Sequence, residues 1–372
     1  MPPYLMPGRD LRLDFFRGLA LWFIYLDHIP DNLVSWLTVR NYGFSDATEI
    51  FVFISGYTAV IAYSRMMLKD GWPRAAIRIY RRVWQLYVAH ILLFVAFTAQ
   101  IAWVSMARDT TQLIEEMQLL GLGQNPYQAI LEAALLKFRP VNLDVLPLYI
   151  VLLAAFPFAL PALLRWPAAV IAGSFALYAV TSHFAWNLPG YPDDKVWFFN
   201  PMAWQVAFYS GAVLAVSAHR LAILDRWSKT VTALAVAYLA FAAFIALSWH
   251  YNSLERLIPD WIARQIYPID KTNLDILRFI HFAALAWLVR FLVRPNAQFL
   301  KWRIFEPIRR CGEHSLPVFC LGTFLAVTAQ IVVARYEDSI VSQVLVSLAG
   351  LVIMSLFAYT ASWFKAQGKV RA

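Results

Sequence analysis

Charge is scarce in this chain. Only 15% of its 372 residues are Asp, Glu, Lys or Arg, whereas 60% are hydrophobic and 16% aromatic. Soluble domains carry roughly a quarter charged residues. There are therefore too few polar side chains to cover the two domains that a soluble chain of this length would form. The same figures exclude disorder. Cysteine is scarcer still: Cys311 and Cys320 are the only two. One sits in a basic loop and the other in an apolar run, so neither a disulfide framework nor a thiolate metal site is indicated. Internal repeats, low-complexity tracts, a P-loop, a dinucleotide fingerprint, a Gly-x-Ser-x-Gly elbow and metal-ligand spacings are missing too, and no metal is expected. The opening Met-Pro-Pro stretch reaches Arg12 with no short apolar core and no small-residue cleavage site, so no removable signal peptide is expected.

Long apolar runs are what the chain does have. They are continuous rather than alternating, which favours helices over a β-barrel. A spanning helix needs about 20 mainly apolar residues. Ten stretches qualify: 13–31, 44–64, 84–107, 143–164, 167–186, 201–218, 230–249, 273–293, 314–335 and 339–364. The expectation is an all-α polytopic membrane protein of about ten transmembrane helices, one domain over residues 1–372. The mixed, partly amphipathic stretch 108–142 is expected on the membrane surface or as a cap on the bundle. The net charge is +9, from 32 Lys and Arg against 23 Asp and Glu. With both termini cytoplasmic, most of the basic residues collect on the inner side, among them Arg65, Lys69, Arg74, Arg78, Arg81, Arg82, Arg165, Arg290, Lys301, Arg309 and Arg310. That is the positive-inside bias. No soluble domain remains to carry nucleic acid, and none is expected as a partner.

Polar groups inside spans are costly and usually face a partner or a wet cavity. The first span holds Asp14, Arg17, Asp27 and His28. Arg17 and His28 are eleven residues apart, close to three helical turns, and so lie on one stripe about 16 Å apart along the axis. The second span opens with Asp46 and Glu49, on one face with Phe53 and Gly56, and Ser55 and Gly56 permit close helix approach. Two acids at the outer end of this span suit a His–carboxylate couple with His28, as general-base catalysis needs; the alternative is an interfacial acid pair that never meets it. Arg74, Arg78, Arg81 and Arg82 form a basic helical face, explained either by topology or by docking of a polyanion such as the phosphates of coenzyme A. Lys271, Asp275, Arg278 and His281 progress at spacings of four, three and three, as one polar stripe from the outer side. Asn200 and Trp204 in the sixth span, and Glu313, His314 and Ser315 at the start of the ninth, add to a polar interior.

These residues resemble a known family. Leu13-Asp14-Phe15-Phe16-Arg17-Gly18, Asp27-His28 and the block Phe44 to Tyr57 look like the OpgC family, as do Lys271-Thr272-Asn273-Leu274 with Arg278 and His281, and His314 to Phe319. The wider acyltransferase-three superfamily is similar too: its Arg-then-ten-residues-then-His signature falls on Arg17 and His28, and its Asp-Val-Phe-Phe-Val-x-Ser-Gly-Phe signature falls on Glu49 to Tyr57, with Glu for Asp and Tyr for Phe. The resemblance implies a multi-pass succinyltransferase of osmoregulated periplasmic glucans in the bacterial inner membrane. Succinyl-CoA would be the donor and a periplasmic glucan the acceptor, with membrane lipid around the bundle and homo-oligomerisation left open.

On that reading His28, Glu49, Asp46 and Arg17 are the catalytic candidates, His28 taking the proton of a sugar hydroxyl. Arg78, Arg81 and Arg82, with Ser55 and Tyr57, would bind the donor. Lys271, Arg278, His281, Asn200 and Trp204 would bind substrate, Arg278 or Lys271 pairing with the succinyl carboxylate unless a structural pair to Asp275 occupies them. Trp36, Trp186, Tyr191, Trp197, Trp249 and Tyr251 could stack on glucose rings or belong to an interfacial belt. Two other readings stay open: O-acetylation of another surface glycan, and transport of a glycan or lipid-linked sugar, against which stands the lack of repeated halves.

Overall fold

The structure, a computed structural model, describes residues 10–108, 111–192, 194–217, 227–295, 297–336 and 339–370. The stretch in which no signal peptide was expected, 1–9, and residue 218 at the end of the sixth apolar run lie outside these. The helices are α1 (Leu11–Asp27), α2 (Ala47–Asp70), α3 (Trp72–Arg108), α4 (Gln112–Glu116), α5 (Leu120–Gln124), α6 (Pro126–Ala134), α7 (Val145–Arg165), α8 (Pro167–Phe184), α9 (Pro201–Ser217), α10 (Ser228–Ser248), α11 (Asn252–Glu255), α12 (Asp260–Ile266), α13 (Ile276–Leu292), α14 (Glu306–Glu313), α15 (Ser315–Arg335) and α16 (Ile340–Val370). Among the described residues there is no strand, only an isolated bridge between Pro189 and Val196.

Seven of these helices, α2, α3, α7, α8, α10, α15 and α16, are long and apolar enough to cross a membrane. The chain is a membrane protein. The other three apolar runs form α1, α9 and α13, each of 17 residues, at the lower end of the length that spans. The basic helical face Arg74–Arg82 is the first turns of the 37-residue α3. Local chemistry sets the ends. Asp10 accepts from the Arg12 amide to start α1. Asp46 and Glu49 form a reciprocal capping box on α2, which satisfies two backbone donors that a helix start leaves open. Asp275 accepts from Leu277 N to begin α13, and Pro167 sits in the first turn of α8.

Two close crossings hold the centre. A Cβ at Gly18 of α1 would meet the Ile308 carbonyl oxygen at 1.8 Å, and one at Gly312 of α14 would meet the Asp14 carbonyl oxygen at 1.8 Å. On α2, a Cβ at Gly56 would strike the Phe208 carbonyl oxygen at 1.9 Å, and Gly211 of α9 stands equally close to the Phe53 carbonyl. These backbones touch, as expected where helices associate through small residues. α1 and α2 are thus fixed against α14 and α9, and their polar residues face the interior. The 111–142 stretch folds as short helices at one end of the bundle, where Met117 and Phe138 are buried in the core.

Candidate functional site

Two cavities lie on either side of a thin wall. The larger, about 1360 Å³, opens at the end of the bundle where α1 stops and α2 starts; it is called here the vestibule. His28, Asp27, Asp46, Lys271, Arg278, Arg139 and Asp144 line it. The smaller, about 210 Å³, is lined by Arg17, Ser55, Thr58, Tyr63, Arg82 and Ser315 among others. Residues of α1, α2, α7 and α15 line both. Thr48 faces the vestibule and Phe51 the smaller cavity, three residues or about 4.5 Å apart along α2. Phe51 stacks on Phe319 with ring centroids 6.0 Å apart and an interplanar angle of 28°. This pair belongs to the wall.

His28 is the residue after the last turn of α1. Its Nδ1 lies 2.5 Å from the Ile24 carbonyl oxygen. A carbonyl only accepts, so Nδ1 carries a hydrogen, and in the neutral ring Nε2 then keeps the lone pair. Asp27, beside it, accepts from the Thr38 hydroxyl at 2.7 Å through Oδ1. Lys271 and Asp46 lie within electrostatic range of both residues.

Asp46 and Glu49 correct the sequence reading. Neither carboxylate is bonded to His28. Glu49, fully buried, accepts from Arg278 Nη2 at 2.7 Å and Nε at 2.9 Å through Oε1, and from the Asp46 amide through Oε2. Asp46 Oδ2 meets Lys271 Nζ at 2.6 Å and Arg278 Nη2 at 3.2 Å. Burial of Asp46 would push its carboxyl up, but the Lys271 and Arg278 cations prevail and hold it well below the usual carboxylate range. The physical reason for the pairing is plain: a buried carboxylate needs a counter-charge, and α13 brings two to the cap of α2. The orienting group on His28 is a carbonyl of its own helix instead. Lys271 and Arg278 are accordingly paired to Asp46 and Glu49, not to Asp275, which caps α13. Nor is Lys271 on a helical stripe, since α13 begins at Ile276 and residues 271–275 form a turn.

The remaining candidates divide. Arg17 reaches the smaller cavity, donating to Thr58 Oγ1 at 2.6 Å, and is not in the His28 vestibule. Ser55 lines the smaller cavity, donating to the Phe51 carbonyl; Tyr57 lines neither. Arg82 lines it as well, donating to Gln85, whereas Arg78 and Arg81 are exposed. His281, Asn200 and Trp204 are buried and line neither cavity. They brace the site: His281 Nδ1 lies 2.7 Å from Ser45 Oγ, Asn200 donates to Asn273 and accepts from the Met202 amide, and Trp204 Nε1 donates to the Lys271 carbonyl at 3.0 Å. A buried polar atom must be paired; here the Asn200 and Trp204 bonds fix the turn that carries Lys271, and the His281 contact holds Ser45, next to Asp46.

Sequence reasoning missed Arg139 and Asp144 as a pair. Arg139 Nε meets Asp144 Oδ1 at 3.0 Å, and the guanidinium sits 4.3 Å from the Trp197 ring centroid. Asp144 lies just before α7; burial pushes it up to about 6, the nearby Arg139 opposing the shift only in part. Burial likewise lowers Arg139. The available signal was an acid at the start of an apolar run with an Arg five residues before it.

The model of the OpgC protein family matches residues 9–366. The chain belongs to the OpgC family. The comparisons with curated proteins and with solved structures gave no match. In this OpgC-family chain α1 and α2 line both cavities, Lys271 and Arg278 reach only the vestibule, and α3 lines only the smaller cavity.

Proposed function

We propose that the protein is an acyl-CoA-dependent O-acyltransferase that moves a succinyl group from cytoplasmic succinyl-CoA to glucose hydroxyls of osmoregulated periplasmic glucans. On this reading it is a ten-span protein of the bacterial inner membrane with both termini in the cytoplasm. The observation that carries the proposal is the His28 ring in the vestibule, its Nδ1 hydrogen on the Ile24 carbonyl and its Nε2 open as a base, one wall from a cavity edged by Arg82. Membership of the OpgC family supports the same reading.

The chemistry follows from that arrangement. The phosphates of the donor bind outside the smaller cavity at Arg82, with Arg78 and Arg81 beside it, since guanidinium forks suit phosphate. The cavity is too small for the whole donor and suits the pantetheine arm, which brings the thioester to the wall. A glucose hydroxyl in the vestibule attacks the thioester carbonyl carbon while His28 Nε2 takes its proton. The new C–O bond forms, the C–S bond breaks, and the proton returns from His28 to the departing thiolate. Lys271, one-third exposed in the vestibule, is the cation available to the oxyanion or to the succinyl carboxylate. Arg278 acts behind it by holding Asp46 and Glu49 in place.

The test is transfer by purified protein in detergent. An acyltransferase moves labelled succinyl from succinyl-CoA to glucan without a sealed compartment, whereas a transporter gives no ester under those conditions. Equal use of acetyl-CoA would replace the succinyl assignment with O-acetylation.

A further inference from the structure

The vestibule is larger than a pocket for a drug-sized molecule, which falls at about 300–1,000 Å³. One side of it is aromatic in a way the mechanism does not use. Trp36, from the short helical turn Leu33–Leu37, and Trp249 with His250, from the end of α10, all line the vestibule. The Trp36 and His250 ring centroids are 4.7 Å apart. Residues of an interfacial belt face lipid; these line a cavity that also holds His28, so a belt does not account for them. Asp27, the neighbour of His28, presents a carboxylate to the same space. Only its Oδ1 is engaged, by Thr38. Asn41 is tied to the Ser35 carbonyl through Nδ2, which leaves its Oδ1 as an acceptor.

Flat aromatic faces beside hydroxyl-binding oxygens are what a pyranose needs. Its axial C–H face is apolar and lies on an aromatic ring, while its equatorial hydroxyls donate to carboxylate and amide oxygens. We propose that Trp36, His250 and Trp249, with Asp27 and Asn41, form the acceptor subsite for a neutral gluco-oligosaccharide, and that Asp27 grips hydroxyls of the ring whose free hydroxyl faces His28. The subsite extends from His28 along the wall made by residues 27–42, so it takes several sugar rings and not a single glucose. This inference rests on the acceptor reading given above.

The experiment is calorimetric binding, in detergent and without any acyl-CoA, of a size series of unsubstituted gluco-oligosaccharides. The expected result is affinity that rises with chain length. Trp36→Ala and Asp27→Asn should each weaken it about tenfold or more, and Trp36→Phe should restore part of the loss. Thermal unfolding of each variant reports whether it is folded; if Trp36→Ala is not, Asp27→Asn and Trp249→Ala carry the test. No binding by the native protein, or native affinity in the folded variants, overturns the subsite. Binding that depends on Trp36 without any transfer from succinyl-CoA would sink the enzyme reading and leave the subsite. Transfer with an unchanged acceptor KM in Trp36→Ala would do the reverse.

Discussion

Replacing Arg278 with Met should destabilise the protein by about 3–5 kcal/mol, because it leaves a buried carboxylate without its cation. Arg278 makes two bonds to Glu49, at 2.7 and 2.9 Å, and one to Asp46 at 3.2 Å. The Glu49 side chain has no solvent exposure and Arg278 only 10%, so water cannot replace the guanidinium. Asp46 loses less, since it keeps Lys271 and the Thr48 amide. Lys271→Met bounds the comparison: its side chain is 33% exposed, and such pairs contribute only about 0–1 kcal/mol. The assay is unfolding of the purified protein in mixed micelles by increasing SDS, with a double-mutant cycle of Arg278→Met and Glu49→Gln. The double variant should regain a good part of the loss, a coupling of about 1–3 kcal/mol. A loss below about 1 kcal/mol for Arg278→Met, or coupling below about 0.5 kcal/mol, would refute the assignment of the pair as a buried, solvent-free contact.

Gly18→Ala should prevent accumulation of folded protein in membranes, because the added methyl meets the Ile308 backbone at 1.8 Å; normal yield and melting behaviour would contradict the α1–α14 crossing. Arg82→Glu should raise the KM for succinyl-CoA about tenfold or more while kcat changes little, since contacts remote from the reacting carbon act on binding; steady-state kinetics check this, and a pure kcat effect counts against the phosphate site. Asp144→Asn should flatten the pH dependence of stability. Because the folded pKa is raised from 3.8 to about 6 by burial, this group's contribution is full below the lower value and is lost as pH rises through the upper one. Unfolding measured between about pH 4 and 7 should show a smaller fall in the variant than in the native protein.

Seven of the ten apolar runs form helices long and apolar enough to cross a membrane, legible because such a run has few other uses; the other three form helices of only 17 residues, whose ends the run lengths did not show. The eleven-residue spacing of Arg17 and His28 was readable, but it gave no sign that Arg17 would line the smaller cavity and His28 the vestibule. The His28 tautomer was not readable, since it depends on the chain leaving α1 so that the ring turns back to Ile24. Partners on different helices were misread for the same reason. The acids of α2 looked free for His28, but only the packing of α13 reveals that Arg278 reaches them. Spacing alone made Lys271 to His281 one stripe, whereas Asp275 starts the helix after Lys271 and splits the pattern into a turn and a buried brace. Asn200 and Trp204 read as polar lining because nothing in the sequence tells a satisfied buried group from an open one. The basic run of α3 likewise gave no sign that Arg82 turns inward while Arg78 and Arg81 face out.

The central claim is that donor and acceptor meet at His28 from opposite sides of the bundle. Proteoliposomes test it most directly: glucan is sealed inside, succinyl-CoA is added outside, and only molecules with the cytoplasmic face outward can use the donor. The account predicts succinyl ester on the internal glucan, free coenzyme A outside, and a loss of about 10²–10⁴-fold in His28→Ala at equal amounts of folded protein. Ester formed only when both substrates share one compartment, or native rates in His28→Ala, would contradict it.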